Sequence, residues 1–298
     1  MRVFLTGATG FIGSAITQEL LRNGHQVLGL ARSEVAAQSL ISAGAQVHRG
    51  DLNDIDSLRR GASDCDGVIH TGFIHDFTRF KEVCEVDRHA IEALGAALKG
   101  SNRPLIVTSG TALVSPGRVA TETMKAALNA DSHPRVESEI ITSALSQHGI
   151  RVSVVRLSPS VHGTGDHGFV PMLINLAQEK GVSAYIGDGE NSWTAVHRFD
   201  AALLYRLALE KGAENATYHG VAEQSIAFRD IAGAIGKHLN LPVVSMTPED
   251  AAQHFGWFSA FTGLDCPASS TLTRTALDWN PVQAGLLADM AYADYFTK

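Results

Sequence analysis

The sequence predicts an α/β fold, a doubly wound parallel sheet covered by helices on both faces and followed by a smaller C-terminal lobe. Three observations carry that expectation. A short apolar run, Val3 to Leu5, leads into glycines at spacing three, Gly7, Gly10 and Gly13, and then into a helix with Ile12, Ile16, Leu20 and Leu21 on one side. Strand-like and helix-like segments alternate from there to Arg156, the pattern of right-handed βαβ units. Beyond Arg156 the alternation gives way to a long Gly- and His-rich loop at 158–168 and then to mixed elements.

Strands are expected at 3–5, 26–30, 46–48, 67–70, 104–108 and 151–156, each a short β-prone run. Between them lie helices that open near Phe11 and stop at Gly24, that span 34–43, that run from an Asn53 or Asp54 cap to about 60, and that cover 80–98 and 134–147. Gly149 stops the last of these. After Arg156, helices are expected at 169–178, 198–209 and 228–239, strands at 216–221 and 242–246, and a tight turn at Gly187-Asp188-Gly189, with helical segments closing the chain. The expected division is a core at 1–160, with 190–212 returning to it, and a smaller lobe made of 161–189 and 213–298. No repeat or linker separates the two.

The 298 residues, 45% hydrophobic and 18% charged, are ordinary for a globular enzyme. A net charge of −7 argues against a nucleic-acid or anionic-membrane surface. No 18-residue apolar run is present, and Met1 leads directly into a core strand, so neither a membrane span nor a signal peptide is expected. Cys65, Cys84 and Cys266 are few and odd in number, which fits reduced thiols of the cytoplasm rather than a disulfide framework. The thirteen histidines show no metal-ligand spacing, so no metal is expected.

A glycine turn between a strand and a helix has a specific use. One glycine reverses the chain, one lets backbone approach a pyrophosphate, and one lets helix and strand pack closely while the helix N–H groups face the phosphates. Thr6-Gly7-Ala8-Thr9-Gly10-Phe11-Ile12-Gly13 resembles the cofactor turn of the extended and atypical short-chain dehydrogenase/reductases. That superfamily includes sugar-nucleotide epimerases, dehydratases and NADPH-dependent ketone reductases. The resemblance implies a Rossmann-type core with a nicotinamide dinucleotide on Gly7, Thr9, Gly10, Phe11, Ile12 and Gly13. At the end of the second strand stand Arg32 and Ser33, with no acid to accept a ribose 2′-hydroxyl, so NADP(H) is expected over NAD(H). By position in the family, Asp51 meets the adenine amino group and Leu52 its ring, although Asp51 also suits a turn or cap. His70, Thr71 and Gly72 would pass the ribose and phosphates, and Ser158, Pro159, Ser160 and Val161 would lie along the nicotinamide.

The family's catalyst is not carried over. It uses a tyrosine, a lysine four residues later, and a hydroxyl from the end of the fifth strand. Here Ser109 and Thr111 supply hydroxyls, but the helix reads Pro134-Arg135-Val136-Glu137-Ser138-Glu139, with Arg135 at the tyrosine and Glu139 at the lysine. An arginine stabilises an oxyanion but supplies no proton. Arg135 and Glu139 also read as an i,i+4 ion pair. His162, in the loop expected beside the nicotinamide, is the candidate for proton transfer together with the Ser109 and Thr111 hydroxyls, imidazole being a side chain suited to act as acid or base. Phe73, Ile74, His75, Phe169, Trp193 and His197 are expected to wall the substrate, and Phe255, Trp257 and Phe258 read as lobe core, with a lid as the alternative.

The leading expectation is therefore an NADP(H)-dependent oxidoreductase acting on a small carbonyl or alcohol. A redox-silent NAD(P)-binding sensor and an epimerase/dehydratase are the alternatives. A homodimer through the helices after the fourth and fifth strands is plausible from family habit.

Overall fold

The structure, a computed structural model, describes residues 1–126, 133–292 and 295–296. The first half runs β1 (Arg2–Thr6), α1 (Phe11–Arg22), β2 (Gln26–Ala31), α2 (Glu34–Ser42), β3 (Gln46–Arg49), α3 (Ile55–Ser63), β4 (Gly67–His70), α4 (Phe80–Leu98), β5 (Pro104–Gly110), α5 (Glu137–Leu145) and β6 (Arg151–Leu157). The second half runs β7 (Ser160–His162), α6 (Phe169–Lys180), β8 (Ser183–Ile186), β9 (Ser192–His197), α7 (Arg198–Lys211), β10 (Ala216–Gly220), β11 (Glu223–Ala227), α8 (Phe228–Leu239), β12 (Val243–Met246), α9 (Pro248–Phe255), α10 (Ser259–Thr262), α11 (Thr271–Leu277) and α12 (Leu286–Tyr292).

Seven strands form one parallel sheet in the order β10-β6-β5-β4-β1-β2-β3. Successive side chains of a strand point to opposite faces, and both faces are buried here. Val3 and Leu5 pack with α1 and α7, while Phe4 between them packs with α3 and α4. Burial on both sides explains why the strands read as continuous apolar runs rather than as alternating ones. The chain reverses its winding direction between β1 and β4, and this switch point opens a crevice at the strand C-termini.

The lobe has its own core, built from Val170, Leu173, Trp193, Phe228, Ile231, Phe258 and Met290 with their neighbours. Two small sheets carry it, β11-β9-β7 and β12-β8. Four of its strands, β7, β8, β9 and β11, were not anticipated. They are three to six residues long, and all four carry Ser, Thr, His or Gln among the apolar residues, so no run stands out. One assignment is corrected. β10 was placed in the lobe, yet it pairs with β6 from Ala216↔Ser153 to Gly220↔Leu157 and extends the main sheet. Trp279, just after α11, likewise packs in the core beside α7.

Candidate functional site

The crevice begins where β1 ends. Gly7 has φ +69°, and a Cβ there would stand 2.8 Å from the backbone nitrogen of Gly72, so the two turns approach as closely as backbone allows. A Cβ on Gly13 would fall 2.0 Å from the Gly7 carbonyl oxygen, which ties α1 tightly to the strand. At Gly10 the case differs. Its Cβ would touch only the Gly7 oxygen, at 3.2 Å, and would otherwise enter open space. Gly10 is the N-cap of α1 and supplies no side-chain cap, so the first N–H groups of the helix face that space. A pyrophosphate fits this cradle, with Thr9 and Gly10 exposed at its rim and Phe11 and Ile12 half-buried behind. Leu52 closes the other side, its Cδ2 lying 3.2 Å from where a Gly72 Cβ would be.

Arg32 is exposed at the end of β2, and the Ser33 hydroxyl caps α2 by accepting from Ala36 N at 3.2 Å. Sequence reasoning missed Arg49. It pairs with Glu34 at 2.5 Å and donates to the Ser33 carbonyl at 3.0 Å, so the acid nearest the ribose edge is already held by a cation. Asp51 acts as a turn residue. Its Oδ1 accepts from the Asn53 backbone at 2.9 Å and side chain at 2.6 Å. The Thr71 hydroxyl donates to the Thr6 carbonyl at 2.8 Å and pins β4 to β1.

Several residues expected along the cofactor path turn their side chains inward, which leaves backbone as what they offer it. His70 is fully buried and turns into the α4 face, its Nδ1 2.7 Å from Thr6 Oγ1 and its Nε2 3.1 Å from Asp87 Oδ1. Ser158 donates inward to the Gly220 carbonyl at 2.9 Å and Ser160 is buried on β7, while Pro159 and Val161 are half-buried, Val161 against the core.

The expected Arg135–Glu139 pair does not form. Each residue reaches across the fold instead. Arg135 pairs with Asp87 of α4, donates to Ser138 Oγ at 2.7 Å and to the Thr108 carbonyl at 2.8 Å, and lies 4.4 Å over the Phe73 ring. Ser138 adds a 2.6 Å bond to the same Asp87 carboxylate. Glu139 accepts from Arg156 Nε at 2.9 Å and Nη2 at 2.6 Å, and Ser109 donates to it at 2.5 Å. Asp87 and Arg156 were both missed, and both left a signal. Asp87 interrupts the buried stripe Val83, Cys84, Ala90, Ile91, Leu94 of α4, and Arg156 sits inside a strand otherwise buried on both faces.

The proton candidates fare unequally. Ser109 is committed to Glu139, and the buried Thr111 hydroxyl lies 3.3 Å from Thr194 Oγ1. His162 is fully buried, held by Asp289 of α12 at 2.8 Å and edge-on to His197 at 5.4 Å. Alternation along β7 and β9 explains this. Val161 and Val196 face the main core, so His162 and His197 face the lobe. His197 caps α7 by accepting from Phe199 N at 3.2 Å. Trp193 is 1% exposed and belongs to the lobe core, as do Phe255 and Phe258. His162, His197 and Trp193 are therefore structural groups of the lobe.

What remains at the cleft is a line of rings. Phe73 lies under Arg135, His75 stands edge-on to it at 5.4 Å, and Phe77 follows at 6.3 Å. Phe169 meets Phe77 at 6.4 Å. His75 is exposed, and the cleft's partial desolvation, with His167 and Arg135 adding to it, lowers its pKa below the usual histidine value despite an opposing bond to the Phe73 backbone. Among the described residues no group of three side chains is placed to hold a metal ion.

Burial pushes the Asp87 carboxyl up, but Arg135, His70 and Ser138 outweigh it and hold the pKa at about 2. An unfolded aspartate titrates near 3.9, so the stabilising contribution is complete above about pH 4 and fades as pH falls toward 2. Asp87→Asn should therefore cost about 3–5 kcal/mol at neutral pH, because Arg135 loses its charge partner, and should flatten this part of the acid limb. Denaturant unfolding between pH 7 and pH 2.5 measures both.

The comparisons with known proteins agree with this geometry. The model of the NAD dependent epimerase/dehydratase family matches residues 3–221. An uncharacterized protein of Schizosaccharomyces pombe is 50% identical over 297 residues, covering 99% of this chain and 100% of its own. A decarboxylating sterol-4-alpha-carboxylate 3-dehydrogenase of Dictyostelium discoideum is 29% identical over 76% of this chain and 73% of its own. The crystal structure of a dTDP-glucose 4,6-dehydratase from Streptomyces venezuelae with NAD bound superposes with a TM-score of 0.77 at 19% identity, covering 98% of this chain and 95% of that one, and so shares the fold. With the glycine cradle at its switch point and a family match over most of its length, the chain belongs to the NAD dependent epimerase/dehydratase family, within the extended short-chain dehydrogenase/reductase superfamily of enzymes.

Proposed function

We propose that the protein is an NADP(H)-dependent oxidoreductase acting on a small carbonyl or alcohol. The observation that carries this reading is the uncapped start of α1, open in front of Gly10 and set against Gly72 across the switch point. The preference for NADP(H) is supported by Arg32 at the end of β2 and by Arg49, which holds the neighbouring acid Glu34. The Arg32 guanidinium, with Glu34 neutralised, favours a 2′-phosphate.

When bound, the nicotinamide supplies the hydride for reduction or takes it in oxidation. The chain's own residues then manage the oxygen. In reduction the carbonyl carbon gains the hydride, the C=O π pair moves to oxygen, and that oxygen takes a proton. Arg135, poised over Phe73, stabilises the developing negative charge. His75, the exposed imidazole beside it, supplies the proton in reduction and accepts it in oxidation. A redox-silent sensor is the second reading, and the inward-turned Ser109 and Thr111 hydroxyls favour it. An epimerase or dehydratase of the same family is also compatible. Consumption of NADPH with any member of a carbonyl panel separates the sensor from the enzyme.

Three outcomes follow for this site. Titration should show tighter binding of NADPH than of NADH, and Arg32→Ala should bring the two close together; equal affinities in the unaltered protein sink the preference. Gly10→Val should fold, since its side chain enters open space, yet lose dinucleotide binding because that space is the cradle. Reductive kcat/KM should decline as pH rises through the lowered pKa of His75, and His75→Ala should lose that limb with ~10²-fold of the rate. A pH profile unchanged by the substitution would remove His75 from the chemistry.

A further inference from the structure

The loop that leaves the cradle at Gly72 passes Phe73 and His75 and ends in a wall of rings drawn from both parts of the molecule. Phe77 from this loop stacks on Trp257 of the lobe with centroids 5.3 Å apart and planes 21° apart. Phe261 meets Phe77 edge-on at 5.9 Å, and Phe169 packs on Phe261 at 4.9 Å. The short turn Gly256–Phe258 divides its own aromatic pair. Phe258 is 4% exposed and fills the lobe, whereas Trp257 turns outward and stays 54% exposed. An indole so placed adds little to the lobe core and leaves a broad apolar face beside the cleft.

The wall also differs chemically from a seat for phosphates. Among the described residues, the Arg and Lys side chains that lie over rings do so at Phe73, Phe11, Phe199 and Trp279, and none lies over Phe77, Phe169, Trp257 or Phe261. The polar groups of the cleft stand at its other end, where Arg135 and His75 flank Phe73. A molecule matched to this layout has a flat apolar body and one hydrogen-bonding oxygen.

We propose that Phe77, Trp257, Phe261 and Phe169 seat the substrate's ring system, and that the substrate class is planar, apolar, ring-bearing ketones and their secondary alcohols rather than nucleotide sugars. This rests on the oxidoreductase reading and narrows it. Trp257 is the exposed member of a set whose other tryptophans, Trp193 and Trp279, are buried, so its replacement leaves the core intact.

Calorimetric titration tests the assignment without turnover, using 2-acetylnaphthalene and dTDP-glucose against the protein alone and with NADPH. The expected result is saturable binding of 2-acetylnaphthalene, weakened ~tenfold in Trp257→Ala, with no saturable heat from dTDP-glucose and an unchanged NADPH titration in the variant. Binding of dTDP-glucose with silence from 2-acetylnaphthalene overturns the proposal, and so does equal affinity for the ketone in the unaltered protein, Trp257→Ala and Phe77→Ala. Ketone binding without NADPH binding would leave the wall standing and bring down the oxidoreductase reading instead.

Discussion

The Asp87 carboxylate is the group on which the site's arrangement depends. It is 1% exposed and sits in the middle of α4, where desolvation alone would make it untenable. Arg135 and Ser138 at the start of the α5 helix and His70 at the end of β4 converge on it and restore what burial removes. Through Arg135 it fixes the helix start that carries the family's catalytic position. Through His70 and Thr6 it reaches the backbone N–H of Gly72, which donates to Thr6 Oγ1 at 3.1 Å. One buried charge thus links the rim of the dinucleotide cradle to the guanidinium over Phe73. A pair of this kind is weak evidence for net stability, since an apolar replacement of similar shape is often no worse. Its value lies in geometry, because removing either partner leaves the other buried without compensation.

The main sheet and the cradle were legible because their signals are local. A glycine turn between an apolar strand and an amphipathic helix occupies a dozen consecutive residues, and strands buried on both faces announce themselves as runs such as Val3 to Leu5 or Leu105 to Val107. The partners of Arg135 and Glu139 were not legible for the converse reason. The i,i+4 rule sees only the helix's own residues, while the actual partners, Asp87 and Arg156, lie 48 and 17 residues away. Position within a family also misled. It placed His162 beside the nicotinamide, but a three-residue strand, β7, turns that side chain by alternation toward α12 and Asp289. β7 is too short to be read from periodicity, so the face of His162 depends on pairing with β9 that only the tertiary structure supplies.

The two exchanges in the catalytic helix change its electrostatics in a consistent direction. A tyrosine with a nearby lysine offers a proton together with a positive field that eases its loss. Here both positions are occupied by charged groups, and both charges are matched, Arg135 by Asp87 and Glu139 by Arg156. The helix therefore offers the cleft no titrating hydroxyl, and what it does offer is the guanidinium of Arg135, whose charge still lowers the His75 pKa. Arg135 retains directed N–H groups, which stabilise oxygen only when the geometry is fixed in advance, and the bonds to Ser138 and the Thr108 carbonyl fix it.

On the proposed oxidoreductase reading, the proton chemistry falls to the loop that follows β4. That loop starts at the cradle, carries an imidazole whose pKa is lowered toward the neutral form, and ends in the aromatic wall. In the usual arrangement one helix sets the proton chemistry and the lobe sets the substrate. In this chain a single loop contacts the cofactor turn, the guanidinium and the lobe's exposed tryptophan, so its conformation couples all three. Replacing one of its rings is then expected to alter substrate fit and proton transfer together, whereas a change in the helix acts through charge balance and stability. The division of labour between helix and loop, more than any single residue, distinguishes this site from the tyrosine and lysine pattern it resembles.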